Sequence, residues 1–160
     1  MARLQVGLPE LTSDIGKYAA KFDMVELRPE PGRAPRAGTL RSYRKAVNPS
    51  FTFSVVLPDV VGRLTPGKDL ESALEESLAV AKVIEARCIV LCTPAEVRPT
   101  TSTTEKLKRV VARLPRPSVT LCWEPRGIWE RPQIVSLARE LGVLAVLDAT
   151  QEMLPPGGAV

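Results

Sequence analysis

Short apolar runs alternate with longer stretches in which apolar residues recur every three or four positions, and the alternation continues along the whole chain. A run covered on both faces reads as a buried parallel strand, and a 3.6-residue repeat reads as a helix with one face inward. Leu4 to Leu8 is the first strand expected, and Ser13 and Asp14 can cap a helix reaching about Lys21. Asp23 to Arg28 is the second strand; a loop rich in Pro, Gly and Arg from Pro29 to Ala37 follows, then a short helix over Leu40 to Val47. Phe51 to Leu57 is a third strand, ended by Pro58 because proline cannot donate to a sheet ladder. The clearest helix runs from Asp69 to Ala86, with Leu70, Ala73, Leu74, Leu78, Ala81 and Ile84 on one stripe. Strands at Cys88 to Thr93, Ser118 to Glu124 and Val143 to Asp148 then alternate with helices at Thr104 to Leu114 and Pro132 to Leu141. Pro132 suits a first helical turn and Gly142 a helix stop.

Six such units predict one α/β domain with a parallel sheet and right-handed crossovers that place the helices outside. An open doubly wound sheet and a (β/α) barrel both fit. No strand is followed by a Gly-x-Gly-x-x-Gly turn or a Walker loop, which counts against nucleotide binding of that kind. At 160 residues and 44% hydrophobic, the chain can bury a core. No apolar run is long enough to span a membrane and the first residues lack signal-peptide order, so a cytoplasmic protein is expected. The net charge of +4 is spread among acids, so nucleic acid is the weaker partner expectation and a small molecule the stronger.

The pattern Glu-x-Arg occurs twice at the downstream end of an expected strand, as Glu26-Leu27-Arg28 and as Glu124-Pro125-Arg126. Alternation along a strand puts each Glu and its Arg on the same side, about 6 to 7 Å apart along the backbone. Ligands of parallel α/β folds bind beyond the carboxyl ends of the strands, so both pairs could face one cavity. The plainer alternative is that each Arg neutralises its own Glu as a structural ion pair. With no His, a Ser-His-Asp triad, a Cys-His pair and an imidazole-bound metal are excluded within this chain, and no metal or cofactor is expected. Cys88 and Cys92 lie roughly 13 Å apart along one strand, too far to chelate a single ion. With Cys122 they read as reduced thiols serving as small hydrophobes.

Phe22-Asp23-Met24-Val25-Glu26-Leu27, Phe51-Thr52-Phe53-Ser54-Val55 before Pro58, Trp123-Glu124-Pro125-Arg126-Gly127-Ile128-Trp129 and Val146-Leu147-Asp148 resemble, in order and spacing, the YecE-like family, domain of unknown function number 72. The Trp-Glu-Pro-Arg-Gly-x-Trp stretch is the most specific of these. The resemblance implies a TIM-like (β/α) barrel with polar residues at its strand ends. It implies the fold more firmly than a function. The chain departs from the family where Val56 replaces a basic residue, where Cys92 stands in place of a Gln, and in lacking a Trp/Tyr-rich loop after the first strand. A TIM barrel has eight strands in about 250 residues, so an incomplete barrel of about six strands is expected, lacking the last two βα units. Self-association or a missing C-terminal segment would then cover the exposed strand edges.

On this barrel Glu26, Glu124 and Asp148 are the candidate catalytic residues, with Arg28, Arg126 and Trp129 as candidate ligand-binding residues. A carboxylate beside an Arg is better placed to orient a substrate than to donate a proton, and Arg can bind phosphate or carboxylate bidentately. Trp129 either walls the pocket or packs against the following helix. Two functions stay open: a site for a phosphorylated or sugar-like small molecule, enzymatic or not, and a non-catalytic binding or scaffold protein with a nucleic-acid association.

Overall fold

The computed structural model describes residues 5–147. Strands β1 (Gly7–Leu8), β2 (Met24–Leu27), β3 (Thr52–Val56), β4 (Cys88–Thr93), β5 (Thr120–Pro125) and β6 (Leu144–Ala145) form one sheet in that order. Every neighbouring pair is parallel. Between them run α1 (Ile15–Ala19), α2 (Ala37–Ala46), α3 (Asp59–Gly62), α4 (Lys68–Ile84), α5 (Thr101–Val111) and α6 (Arg131–Leu141). With β1 at an edge and the strand order following the sequence, the sheet is not doubly wound. It has the sequential order of a (β/α) barrel, and β1 and β6 do not meet to close it among the described residues.

Period-two alternation divides the sheet into two unlike faces. Val25, Phe53, Val55, Ile89, Leu91, Leu121 and Trp123 point to the helices and form the main core with Leu70, Leu74, Ile84, Leu107, Ile134 and Leu137. The opposite face carries a small apolar cluster of Val56, Val90 and Cys92, with Cys88, Cys122 and Val146 packed against it. The helices therefore lie on one side, and the other side is the one that a barrel would enclose.

Element ends follow local chemistry. Asp14 caps α1 by accepting from the Gly16 and Lys17 amides at 3.0 and 3.2 Å. α5 begins earlier than apolar spacing suggests because the Thr100 hydroxyl accepts from the Thr103 amide at 3.1 Å. α6 has Pro132 in its first turn, a reciprocal cap between Glu130 and Gln133, and Gly142 in the left-handed conformation, φ 63°, at its end. α3 is a single turn after Pro58, too short for any hydrophobic period to reveal.

Candidate functional site

Glu26 and Glu124 are each the penultimate residue of their strands, β2 and β5. Both belong to the face turned away from the helices, since Val25 and Leu27, Trp123 and Leu121 are their strand neighbours on the core side. Across the ladder Glu26 is level with Ser54, Cys88 and Thr120, so Glu124 lies four residues further along its own strand. Strands of a barrel-like sheet stagger in this way because they tilt against the barrel axis.

Each Glu holds its own Arg. Glu26 Oε2 accepts from Arg28 Nη2 at 2.7 Å, while Arg28 Nε donates to the Pro9 carbonyl at 3.3 Å and ties the β1–α1 loop to the end of β2. Glu124 Oε1 accepts from Arg126 Nε at 3.0 Å, and Glu124 Oε2 accepts from the Cys92 thiol at 2.9 Å. The Glu124 bond and charge hold Arg126 still more firmly in its charged form. The Arg side chains remain 46% and 53% exposed, so neither ion pair is worth more than about 1 kcal/mol to the fold. Arg126 makes no other side-chain hydrogen bond among the described residues, which leaves its terminal nitrogens free to donate.

Each residue of the Trp-Glu-Pro-Arg-Gly-x-Trp segment has its own structural place. Trp123 is fully buried in the helix-side core and donates to the Thr93 hydroxyl at 3.1 Å. Glu124 and Arg126 face the other way, and the Arg126 amide extends the ladder by bonding the Thr93 carbonyl at 3.0 Å. Gly127 has φ 88°, and a Cβ there would come within 2.8 Å of the Ala95 carbonyl oxygen, so only glycine lets the loops after β4 and β5 touch.

Of the two readings of Trp129, a pocket wall or packing against the following helix, the structure shows the indole packed. It is 9% exposed, meets Trp123 edge to face at 5.0 Å between centroids, and donates from Nε1 to the Val97 carbonyl at 2.8 Å. Its indole is consumed by packing between the loops and α6, because four residues of loop after Pro125 carry it round to the helix side. Asp148 lies outside the described residues. A cleft of about 460 Å³ opens beyond β2 and takes in Pro9, Glu26, Arg28, Glu30 and Tyr43, but not Glu124 or Arg126. The two Glu-Arg pairs thus share a face of the sheet, while that cleft belongs to the first pair alone.

Cys92 connects them electrostatically. Burial pushes its thiol up from 9.0 to about 12, the hydrogen bond and charge of Glu124 push the same way, and Arg126 and Arg28 oppose. Sequence reasoning treated Cys92 as a small hydrophobe; its bond to Glu124 depends on a cross-strand register that no single segment reveals. A raised thiol pKa favours the folded state while the thiol keeps its proton. This contribution is complete below about pH 9 and is lost as pH rises towards 12. At pH 8, iodoacetamide should therefore label Cys92 in the native protein far more slowly than after unfolding in urea; equal rates by peptide mass mapping would contradict this environment.

Among the described residues no group of three or more Cys, Asp or Glu could hold a metal ion. No helix there is long and apolar enough to cross a membrane. A DUF72 family protein from Enterococcus faecalis superposes with a TM-score of 0.72 at 15% identity, covering 98% of this chain and 66% of that one. A DUF72 family protein from Thermotoga maritima gives 0.60 at 20% identity over 80% of this chain and 52% of its own. A xylose isomerase domain containing protein from Salmonella typhimurium gives 0.61 at 21% identity, over 85% of this chain and 56% of that one. The chain thus spans about two thirds or less of the length of these structures, which share its fold. No curated protein sequence matches it. Residues 6–156 match the family described as Protein of unknown function DUF72, and the chain belongs to that family.

Proposed function

We propose that the face carrying the two Glu-Arg pairs is a binding site for a small phosphorylated or sugar-like molecule at the carboxyl ends of β2 and β5. The observation that carries this reading is the repeated pairing at two penultimate strand positions on one face, with half-exposed guanidinium groups held in orientation by their own carboxylates. An ion pair that adds little stability and keeps free donors is suited to recognition. Arg28 and Arg126 would grip an anionic group, and Glu26 and Glu124 would accept from hydroxyls. In this role the carboxylates orient the ligand. Asp148, which lies outside the described residues, is the further candidate for catalysis.

The test is thermal unfolding of the native protein with glucose 6-phosphate, inorganic phosphate and glucose as probes. At a hundredfold excess over Kd a ligand stabilises by about 2.7 kcal/mol, which should raise Tm by roughly 5 to 10 °C for a domain of this size. Arg126→Gln and Glu124→Gln should each remove most of that shift while leaving the unliganded Tm nearly unchanged. No shift with any probe, or shifts that survive both substitutions, would count against the site.

A further inference from the structure

We propose that Cys88 and Cys122 form a dithiol site that low-molecular-weight disulfides, such as glutathione disulfide, oxidise to an intramolecular disulfide bond. The two residues are 34 apart in sequence, on neighbouring strands β4 and β5, yet their sulfurs are 3.2 Å apart on the face away from the helices. Both are only partly buried, whereas Cys92 is buried and its thiol is already committed to Glu124. A small oxidant can therefore reach the pair without opening the helix-side core. A bonded pair of sulfurs stands about 2.05 Å apart, and Cys88 is level with Thr120 while Cys122 is level with Val90, so the two cysteines are diagonal neighbours and closing the bond requires the β4 and β5 backbones to shift as well as the side chains.

The surroundings divide the roles within the pair. A hydrogen bond from Cys122 pulls the Cys88 thiol below its ordinary value, against burial and the nearby negative charge of Glu26. The buried Ser54 hydroxyl, level with Cys88 in the ladder, has no hydrogen-bond partner among the described residues and is the polar group nearest in register to that sulfur. Cys122 is pushed up, first by its bond to Cys88 and then by burial. Either sulfur can donate in the contact they share, so the pair holds its proton as a unit; in the proposed route Cys88, level with Ser54 in the ladder, attacks and Cys122 resolves.

The exchange balances in two steps. The Cys88 thiolate bonds to one sulfur of glutathione disulfide, the sulfur–sulfur bond of the oxidant breaks, and one glutathione thiolate leaves. Cys122 then gives up its proton to solvent or to that thiolate and attacks Cys88 Sγ, expelling the second glutathione. Two cysteine thiols are oxidised to one disulfide, and one small disulfide is reduced to two thiols. This chemistry is independent of the ligand site proposed above, because neither Arg28 nor Arg126 takes part.

Native protein incubated with glutathione disulfide, alkylated and analysed by intact mass and peptide mapping tests the proposal. The expected product has no disulfide to another chain, is lighter by two hydrogens, has its Cys88 and Cys122 peptides joined, and is reversed by dithiothreitol. Cys122→Ser should stall as a glutathione adduct on Cys88, and Cys88→Ser, with no internal partner left, should carry at most an adduct on Cys122 and form no internal disulfide. Cys92→Ser should oxidise as the wild type does. A wild-type protein that accumulates a glutathione adduct, joins either residue to Cys92, cross-links only between molecules or stays fully reduced would overturn the proposal.

Discussion

Trp123→Ala is expected to destabilise the fold by about 3 to 5 kcal/mol, the cost of emptying a large core site that cannot collapse. Trp123 has no exposed surface, meets Trp129 edge to face and shares the helix-side core with Ile89 and Leu91. Urea denaturation followed by far-UV circular dichroism would measure the loss. A second series separates packing from hydrogen bonding. Trp123→Phe keeps an aromatic ring but leaves the Thr93 hydroxyl, itself fully buried, without its donor. That orphaned group should cost about 1 to 3 kcal/mol, much of it recovered in the double variant Trp123→Phe/Thr93→Val, which removes both partners. A loss below 1 kcal/mol for Trp123→Ala would mean that the segment from β5 to α6 is not built round this indole.

Gly62→Ala should be the next most damaging small change, costing upwards of about 2 kcal/mol, although it adds only one methyl group. A Cβ at Gly62 would overlap the backbone carbonyl oxygen of Cys92 and stand 3.1 Å from its carbonyl carbon. A flexible side chain could swing away; a strand backbone cannot, so α3 must lift from β4. The same substitution at Gly38, inside α2 with nothing within 4 Å of the new methyl, should stabilise by about 0.5 to 1 kcal/mol. Opposite signs in matched denaturation curves are the expected outcome. A neutral Gly62→Ala would show that the close packing of α3 on β4 is absent in solution. Because Cys92 bonds Glu124, displacement of its backbone should also speed alkylation of Cys92 in the native protein.

Strand and helix identity along this chain was written in local pattern. The apolar run Cys88–Thr93 is a strand with those same ends, and the stripe from Leu70 to Ile84 falls within α4. Local caps were legible too, as at Asp14, Pro132 and Gly142, because a cap needs only neighbours a few residues away. Shared side for Glu26 with Arg28 and for Glu124 with Arg126 followed from strand alternation alone. Trp129 was not legible in the same way, since one loop residue more or less turns an indole from one face to the other.

What lay beyond pattern was every relation between strands. The Cys92 bond to Glu124 and the approach of Cys88 to Cys122 depend on register, which is set by how β4 and β5 slide against each other when the core closes. Spacing within one strand sets Cys88 and Cys92 four residues apart on β4, and for the same reason could say nothing of a sulfur 34 residues away. Alternation chooses the face of a side chain because it is a property of one strand. Which side chains meet on that face belongs to the whole sheet, since parallel neighbours are joined by long crossovers and find their register only through helices packed behind them.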